Sequence, residues 1–283
     1  MPSKRANHLG SSIGNRLFVY MVYAVLSIIV LIPFFWIITT ALKTYPQIFA
    51  FPPKWIPNPA TVDNFVTLFT RTSIPRQVIN SIFVGLMTVV VTIVLSALAA
   101  YGFSRFSFKR KTFFFILLIT FQLLPATINV VPYYFLGVRL QLLNSYAILI
   151  LIFTSLRIPV CTLILKGFFD TIPISIEEAA TIDGASRIQV LLKIISPISL
   201  PGIASAALLS FIFTWNRFLL PLILNSKPKM TLATVGVFQL ASDEALSWHL
   251  IASGTLFSIL PLIILFLATQ NMFISGLTKG TGK

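Results

Sequence analysis

Four of the seven acidic residues, Asp170, Glu177, Glu178 and Asp183, crowd into one short stretch of a 283-residue chain otherwise almost free of carboxylates. Carboxylates grouped this way serve acid–base or metal chemistry when a histidine, a cysteine or a nucleophile stands with them. None does here. His8 and His249 are isolated, and the single cysteine, Cys161, lies inside an apolar run and excludes any internal disulfide. The other acids, Asp63, Asp243 and Glu244, accompany no metal motif and no nucleophile–base pair. The final stretch from Gly276 to Lys283 has the glycines and lysines of a phosphate-binding loop, but that loop needs Gly-x4-Gly-Lys-Ser/Thr between a strand and a helix, and neither spacing nor setting is met. No catalytic residue, metal ligand or bound cofactor is therefore assigned to this chain.

A second group of polar residues stands out by its surroundings. Arg157 and Arg217 each interrupt a long apolar run, where an arginine near mid-membrane costs about 2.5–3.5 kcal/mol to insert and normally faces a cavity or a partner. Arg217, nearer a run's outer end, has the alternative of reaching the headgroups. Asn129 sits between Pro125 and Pro132, and Asn216 directly precedes Arg217. Both asparagines are candidates for contact with a polar ligand or for plain helix packing.

The elements that must hold these residues are set by composition. Hydrophobic residues make up 57% of the chain and charged residues 10%, which excludes an ordinary soluble domain. The net charge of +14 raises the question of nucleic acid, but the basic residues are scattered at the ends of apolar runs and never cluster beside a binding motif. Such dispersal is what membrane topology requires. Four runs, Leu17–Leu42, Val78–Phe103, Thr112–Leu136 and Leu250–Ser275, hold no charged residue, and Ser145–Leu165 and Ile198–Leu224 hold one arginine each. At about 1.5 Å per residue, each is longer than the ~30 Å hydrocarbon core and so long enough to span. The expectation is an all-α integral membrane protein with six transmembrane helices, the first too long for a cleaved signal.

With the N-terminus inside, residues 1–16, 104–111, 166–197 and 276–283 are cytoplasmic and hold twelve of the 21 Lys and Arg, against seven outside and two within spans. Arg105, Lys109, Arg110 and Lys111 in one short loop strengthen that orientation. Residues 17–275 then form the spanning domain, with 166–197 as its internal loop and 276–283 as a cytoplasmic tail. The outer loop from Lys43 to Gln77 carries six of the 17 prolines and is expected to be a stiff, mostly non-helical strap, with Trp55 as an interfacial anchor.

In loop 166–197, Ser175-Ile-Glu-Glu178 has the form of a capping box, so a helix is expected to start near Ile176 behind Pro173. Ile176, Ala179 and Ala180 share one face, Glu177 and Glu178 project elsewhere, and Gly184 supplies a left-handed stop. A second amphipathic stretch follows on Ile188, Leu191, Leu192 and Ile195. Small alanines permit close approach, as suits a helix that docks into a partner's groove.

Glu178-Ala179-Ala180, Gly184, Ile194 and Pro197 resemble the cytoplasmic signature of importer permeases of the ATP-binding-cassette type. Phe34 to Lys43, Phe51 to Pro59, Ala99-Ala-Tyr-Gly-Phe-Ser-Arg105, Phe213-Thr-Trp-Asn216 and Phe273 to Gly280 are similar to the carbohydrate-uptake branch. Ser196 stands where the family usually has leucine, and Arg217 where that branch often has an acid. The resemblance implies a type I importer permease fold and a heterodimer with a second homologous permease. It also implies two ATPase subunits holding ATP and magnesium beneath, and a sugar-binding protein outside. Ser175, Glu178, Ala179, Ala180, Asp183 and Gly184 would form the coupling helix seated in one ATPase. Asn129, Arg157, Asn216 and Arg217 would line the substrate path, and Lys279 and Gly280 either reach the ATPases or end in a frayed terminus. The implied substrate is a sugar or oligosaccharide, with an acidic oligosaccharide or glycerol phosphate as the alternative left open by the two arginines. An intramembrane enzyme acting on lipid-linked sugars would need acids or histidines at the membrane face. An ion-driven carrier would need an intramembrane carboxylate, and no apolar run holds one.

Overall fold

The computed structural model describes residues 10–123, 125, 127–242 and 247–280, and among these the chain is helical, without strands. It divides into two units, Met1–Arg71 with Leu240–Phe257, and Thr72–Gln239 with Ser258–Lys283.

In the first unit, α1 (Gly10–Ala41) runs the length of the first apolar stretch, and its large side chains from Leu17 to Phe35 lie exposed, as a lipid-facing helix requires. The strap is more helical than its prolines suggest. It holds α2 (Tyr45–Ile48) and α3 (Asp63–Arg71). Pro46 falls in the first turn of α2, where its missing N–H removes nothing, and no proline lies between Pro59 and Pro75 to interrupt α3. Irregular backbone is confined to the stretch between the two helices. It is tied back by the Asn64 carboxamide, which donates to the carbonyls of Ala41 at 2.8 Å and Lys43 at 2.9 Å. Trp55 meets Trp36 edge to face at 5.2 Å.

The second unit opens with α4 (Ile74–Arg105), followed by α5 (Lys111–Thr120), α6 (Val130–Arg139) and α7 (Tyr146–Asp170). Val84, Thr88, Thr92, Ser96 and Ala100 recur every four residues along α4 and are all fully buried. That stripe of small side chains lets α4 lie close against its neighbours, the packing mode of helices that have no water to exclude. Two apolar clusters result. Ala100, Cys161, Leu165, Phe169, Val190 and Ile195 fill one, with Ala206 accepting a weak hydrogen bond from the Cys161 thiol. Val84, Ile148, Ile152, Phe153 and Leu220 fill the other. At the far end of α4, Asn80 donates to the carbonyls of Lys229 and Thr231, and Gln77 to the Thr231 hydroxyl, closing that end with hydrogen bonds.

The internal loop folds as α8 (Ile174–Ile182), α9 (Arg187–Val190), a π-turn over Leu191–Ile195 and the short α10 (Ser196–Ile198). The chain then bends by 84° into α11 (Leu200–Trp215) and continues through α12 (Leu219–Leu224), α13 (Ala233–Ser242) and α14 (Trp248–Gly280). Among the described residues, four helices are individually long and apolar enough to cross a membrane: Asn15–Ala41, Ile74–Arg105, Tyr146–Asp170 and Trp248–Gln270. The bent pair Arg187–Ile198 and Leu200–Trp215 makes a fifth. Two of the six apolar runs are thus segmented. The run 112–136 is shared by α5, a 3-10 turn over Phe121–Leu123, and α6, while 198–224 breaks at Asn216 before α12. Pro125 and Pro132 lie at the first break and Pro221 enters α12 in its first turn, so no continuous ladder of amide bonds can run through either.

Candidate functional site: a buttressed loop helix and a two-arginine cavity

The loop 166–197 forms its first helix two residues earlier than the Ser175 pattern indicates. Pro173, extended at φ −57° and ψ 133°, is the cap residue, and α8 starts at once with Ile174. Ser175 is therefore already inside the first turn and makes no capping hydrogen bond. The true capping box lies eleven residues on. Ser186 Oγ accepts from the Gln189 amide at 3.4 Å, and Gln189 Oε1 accepts from the Ser186 amide at 2.8 Å. Between the two helices Gly184 has φ +88°, with its amide on the Thr181 carbonyl and the Ala185 amide on that of Ala180 at 2.9 Å. This paired closure is the Schellman stop, and it needs a residue that is comfortable at positive φ.

The face expected on the second helix also shifts. Val190, Leu191 and Ile195 are buried, whereas Ile188 and Leu192 are exposed. In a π-turn the hydrogen bond reaches five residues back, as from the Ser196 amide to Leu191, so the 3.6-residue periodicity fails there.

The helical pattern sets Glu177 and Glu178 together, away from the apolar face, but the structure separates them. Glu178, Ala179 and Asp183 are exposed, as a docking face requires, but Glu177 is 2% exposed. It is ion-paired to Arg105 at the end of α4 and accepts from the Tyr101 hydroxyl at 3.0 Å. Arg105 spends its remaining donors on the carbonyls of Phe169 at 2.8 Å and Ile172 at 3.0 Å, at the end of α7, and on Ser104. A single guanidinium thus joins α4, α7 and α8. Four of its five N–H donors are thus bonded, which is what lets a buried charge be tolerated. Next to it Ser104 donates to Asp170 at 2.6 Å, and Lys166 pairs with the same carboxylate. A signal was available: Tyr101 and Arg105 both belong to the Ala99–Arg105 motif.

The polar residues of the apolar runs meet within the second unit. Asn129, Arg157 and Arg217 line one cavity of about 460 Å³, together with Gln122, Tyr133 and Phe213. Asn216 is not among its lining residues. It is exposed and closes α11 as the C-cap. Asn129 caps α6 by backbone position, with no side-chain hydrogen bond spent on the helix. Lys279 and Gly280 fall in the last turn of α14, whose side chains there lie outside the described residues. His8, Asp243 and Glu244 also lie outside them.

Long apolar helices, a polar cavity and a buttressed helix carried on a polar turn are the parts of a membrane transport subunit. The chain belongs to the family of binding-protein-dependent transport system inner membrane components, whose model matches residues 92–279. It is 36% identical over 250 residues to the sulfoquinovosyl glycerol transport system permease protein of Agrobacterium fabrum, covering 88% of each chain. It is 33% identical over 255 residues to the trehalose transport system permease protein of Mycobacterium tuberculosis, covering 89% of this chain and 92% of that one. Among solved structures it is similar to a bacterial ABC transporter involved in the import of the acidic polysaccharide alginate. The TM-score is 0.76 at 19% identity, over 96% of this chain and 100% of that one, a likeness of fold.

Proposed function

We propose that this chain forms half of the translocation path of an ATP-driven importer for a sugar or oligosaccharide in the cytoplasmic membrane of a prokaryote. The observation that carries the reading is α8: a short helix held from beneath by Glu177 and stopped by Gly184, with Glu178, Ala179 and Asp183 left exposed. A helix anchored that firmly on one side and free on the other transmits force from whatever binds its free side.

In this reading residues 17–275 cross the membrane six times, the segmented runs 112–136 and 198–224 included, with the tails 1–16 and 276–283 and the loop 166–197 inside. Irregular backbone at those two breaks is tolerable where it lines a water-filled path. The other half of the path is a second homologous permease. Two ATPase subunits bind ATP and magnesium, and α8, with Ser175, Glu178, Ala179, Ala180, Asp183 and Gly184, seats in one of them. Lys279 and Gly280 extend α14 toward the same subunits, and an extracytoplasmic binding protein delivers the sugar. Closure of the ATPases draws α8 inward, and the Arg105 junction passes that displacement to α4 and α7 together, biasing the spans toward the outward-open state.

The purified chain alone is expected to hydrolyse no ATP. Hydrolysis, and uptake of labelled sugar into proteoliposomes, should appear only after its ATPase subunits, its partner permease and a sugar-loaded binding protein are added. ATP turnover by the isolated chain, in a preparation freed of contaminating ATPase, would overturn the assignment.

A further inference from the structure

Arg157 and Arg217 are sixty residues apart in sequence and converge on one aromatic ring. Their guanidinium carbons lie 4.4 and 3.7 Å from the centroid of Phe213. Both line the same cavity, and among the described residues neither forms an ion pair. Arg157 Nε is buried without a hydrogen-bond partner. The described polar residues beside them, Gln122, Asn129, Tyr133 and Ser155, are neutral, and no described carboxylate lines the space.

Two like charges held together in a low-dielectric setting repel one another, and without a counter-charge such an arrangement is costly. The Phe213 ring takes up part of that cost by cation–π attraction to both guanidinium groups, and both side chains line the cavity. Planar donors presented in pairs match the oxygens of a carboxylate, sulfonate or phosphate group. Neutral amides and a phenol beside them match hydroxyl groups, and a space of this size lies within the usual range for a small-molecule site.

We propose that the Arg157–Phe213–Arg217 cluster is an anion-recognition site and that the sugar carried by this importer bears a carboxylate, sulfonate or phosphate group. The proposal rests on the importer reading above. Asn129, Gln122 and Tyr133 address the hydroxyls, and the two arginines select the charged end.

The test uses the complete importer in proteoliposomes with its binding protein. It is given matched pairs of labelled disaccharides that differ only in ending with a neutral hexose or with its uronate, its sulfonated form or its phosphate ester. Wild type is expected to take up at least one anionic member roughly ten times faster than its neutral counterpart, and R157Q/R217Q to lower that ratio about tenfold. Co-purification of the partner permease with the variant checks assembly, and because the readout is a ratio, a general loss of activity does not imitate the result. Faster uptake of the neutral members, or a ratio unchanged in the variant, overturns the proposal. So does lipid phosphate that co-purifies with wild type but not with the variant while the ratio stays the same, which would make a phospholipid headgroup the occupant. Absence of ATP-dependent uptake of every pair would instead sink the importer reading on which the proposal stands.

Discussion

Glu177→Ala is expected to leave the spans inserted and to abolish coupled uptake. Removing one partner of a buried ion pair costs about 3–5 kcal/mol, because the other charge stays behind without compensation. Here the charge left behind is Arg105, whose remaining bonds go to Phe169, Ile172 and Ser104, so the loss falls on the attachment of α8 and not on the junction of α4 with α7. α8 would then move without carrying the spans with it. The expected signature is an ATPase that still turns over, uptake lowered at least roughly tenfold, and faster amide exchange over residues 174–186. R105M/E177L, which removes both charges, should recover part of the lost protection, since an apolar pair leaves no stranded ion. Normal uptake by Glu177→Ala would show that the junction carries no force.

The second large effect is expected at Gly184. A Cβ there would meet nothing within 4 Å, so space does not restrict the position; its φ of +88° does. A β-branched residue strains such backbone by about 1–2 kcal/mol or more, whereas asparagine tolerates the left-handed region. Gly184→Val should therefore break the stop between α8 and α9, turn Glu178 and Asp183 away from their seat, and cut uptake strongly. Gly184→Asn should retain much of it. Equal loss in both variants, measured as sugar uptake per transporter recovered, would trace the defect to something other than backbone conformation.

The long helices were legible because lipid imposes a simple rule: a span is a long apolar run almost free of charge, and α1, α4, α14 and, with Arg157 as its one interruption, α7 follow it. The same rule hid the two segmented runs, since hydropathy counts length and is blind to where amide bonding stops. The prolines at 125, 132 and 221 marked those places all the same. The loop was legible in outline, with its short helix, glycine stop and second helix, but the serine at its start was misassigned. Ser175 with Glu178 and Ser186 with Gln189 satisfy the same four-residue pattern, and only the early start after Pro173 decides between them. Contacts between distant residues were not legible at all. Nothing local tells Glu177 from Glu178, and the burial of the first depends on an arginine 72 positions away. Arg157 and Arg217 were each visible as anomalies; their shared ring was not, and Asn216, singled out with them, points its role to the end of α11 instead.

The solitary thiol of Cys161 has a practical side. It is 0% exposed, wedged between α7 and α11, so a water-soluble maleimide has nothing to modify in the native protein. Cysteines placed one at a time, at Arg110 or Lys227 for instance, would each report alone, without a cysteine-free background having to be engineered first. The chain thus comes ready for chemical mapping of which of its ends and loops faces which compartment. The same maleimide, added before and after nucleotide, would record any moment at which the seam holding Cys161 opens.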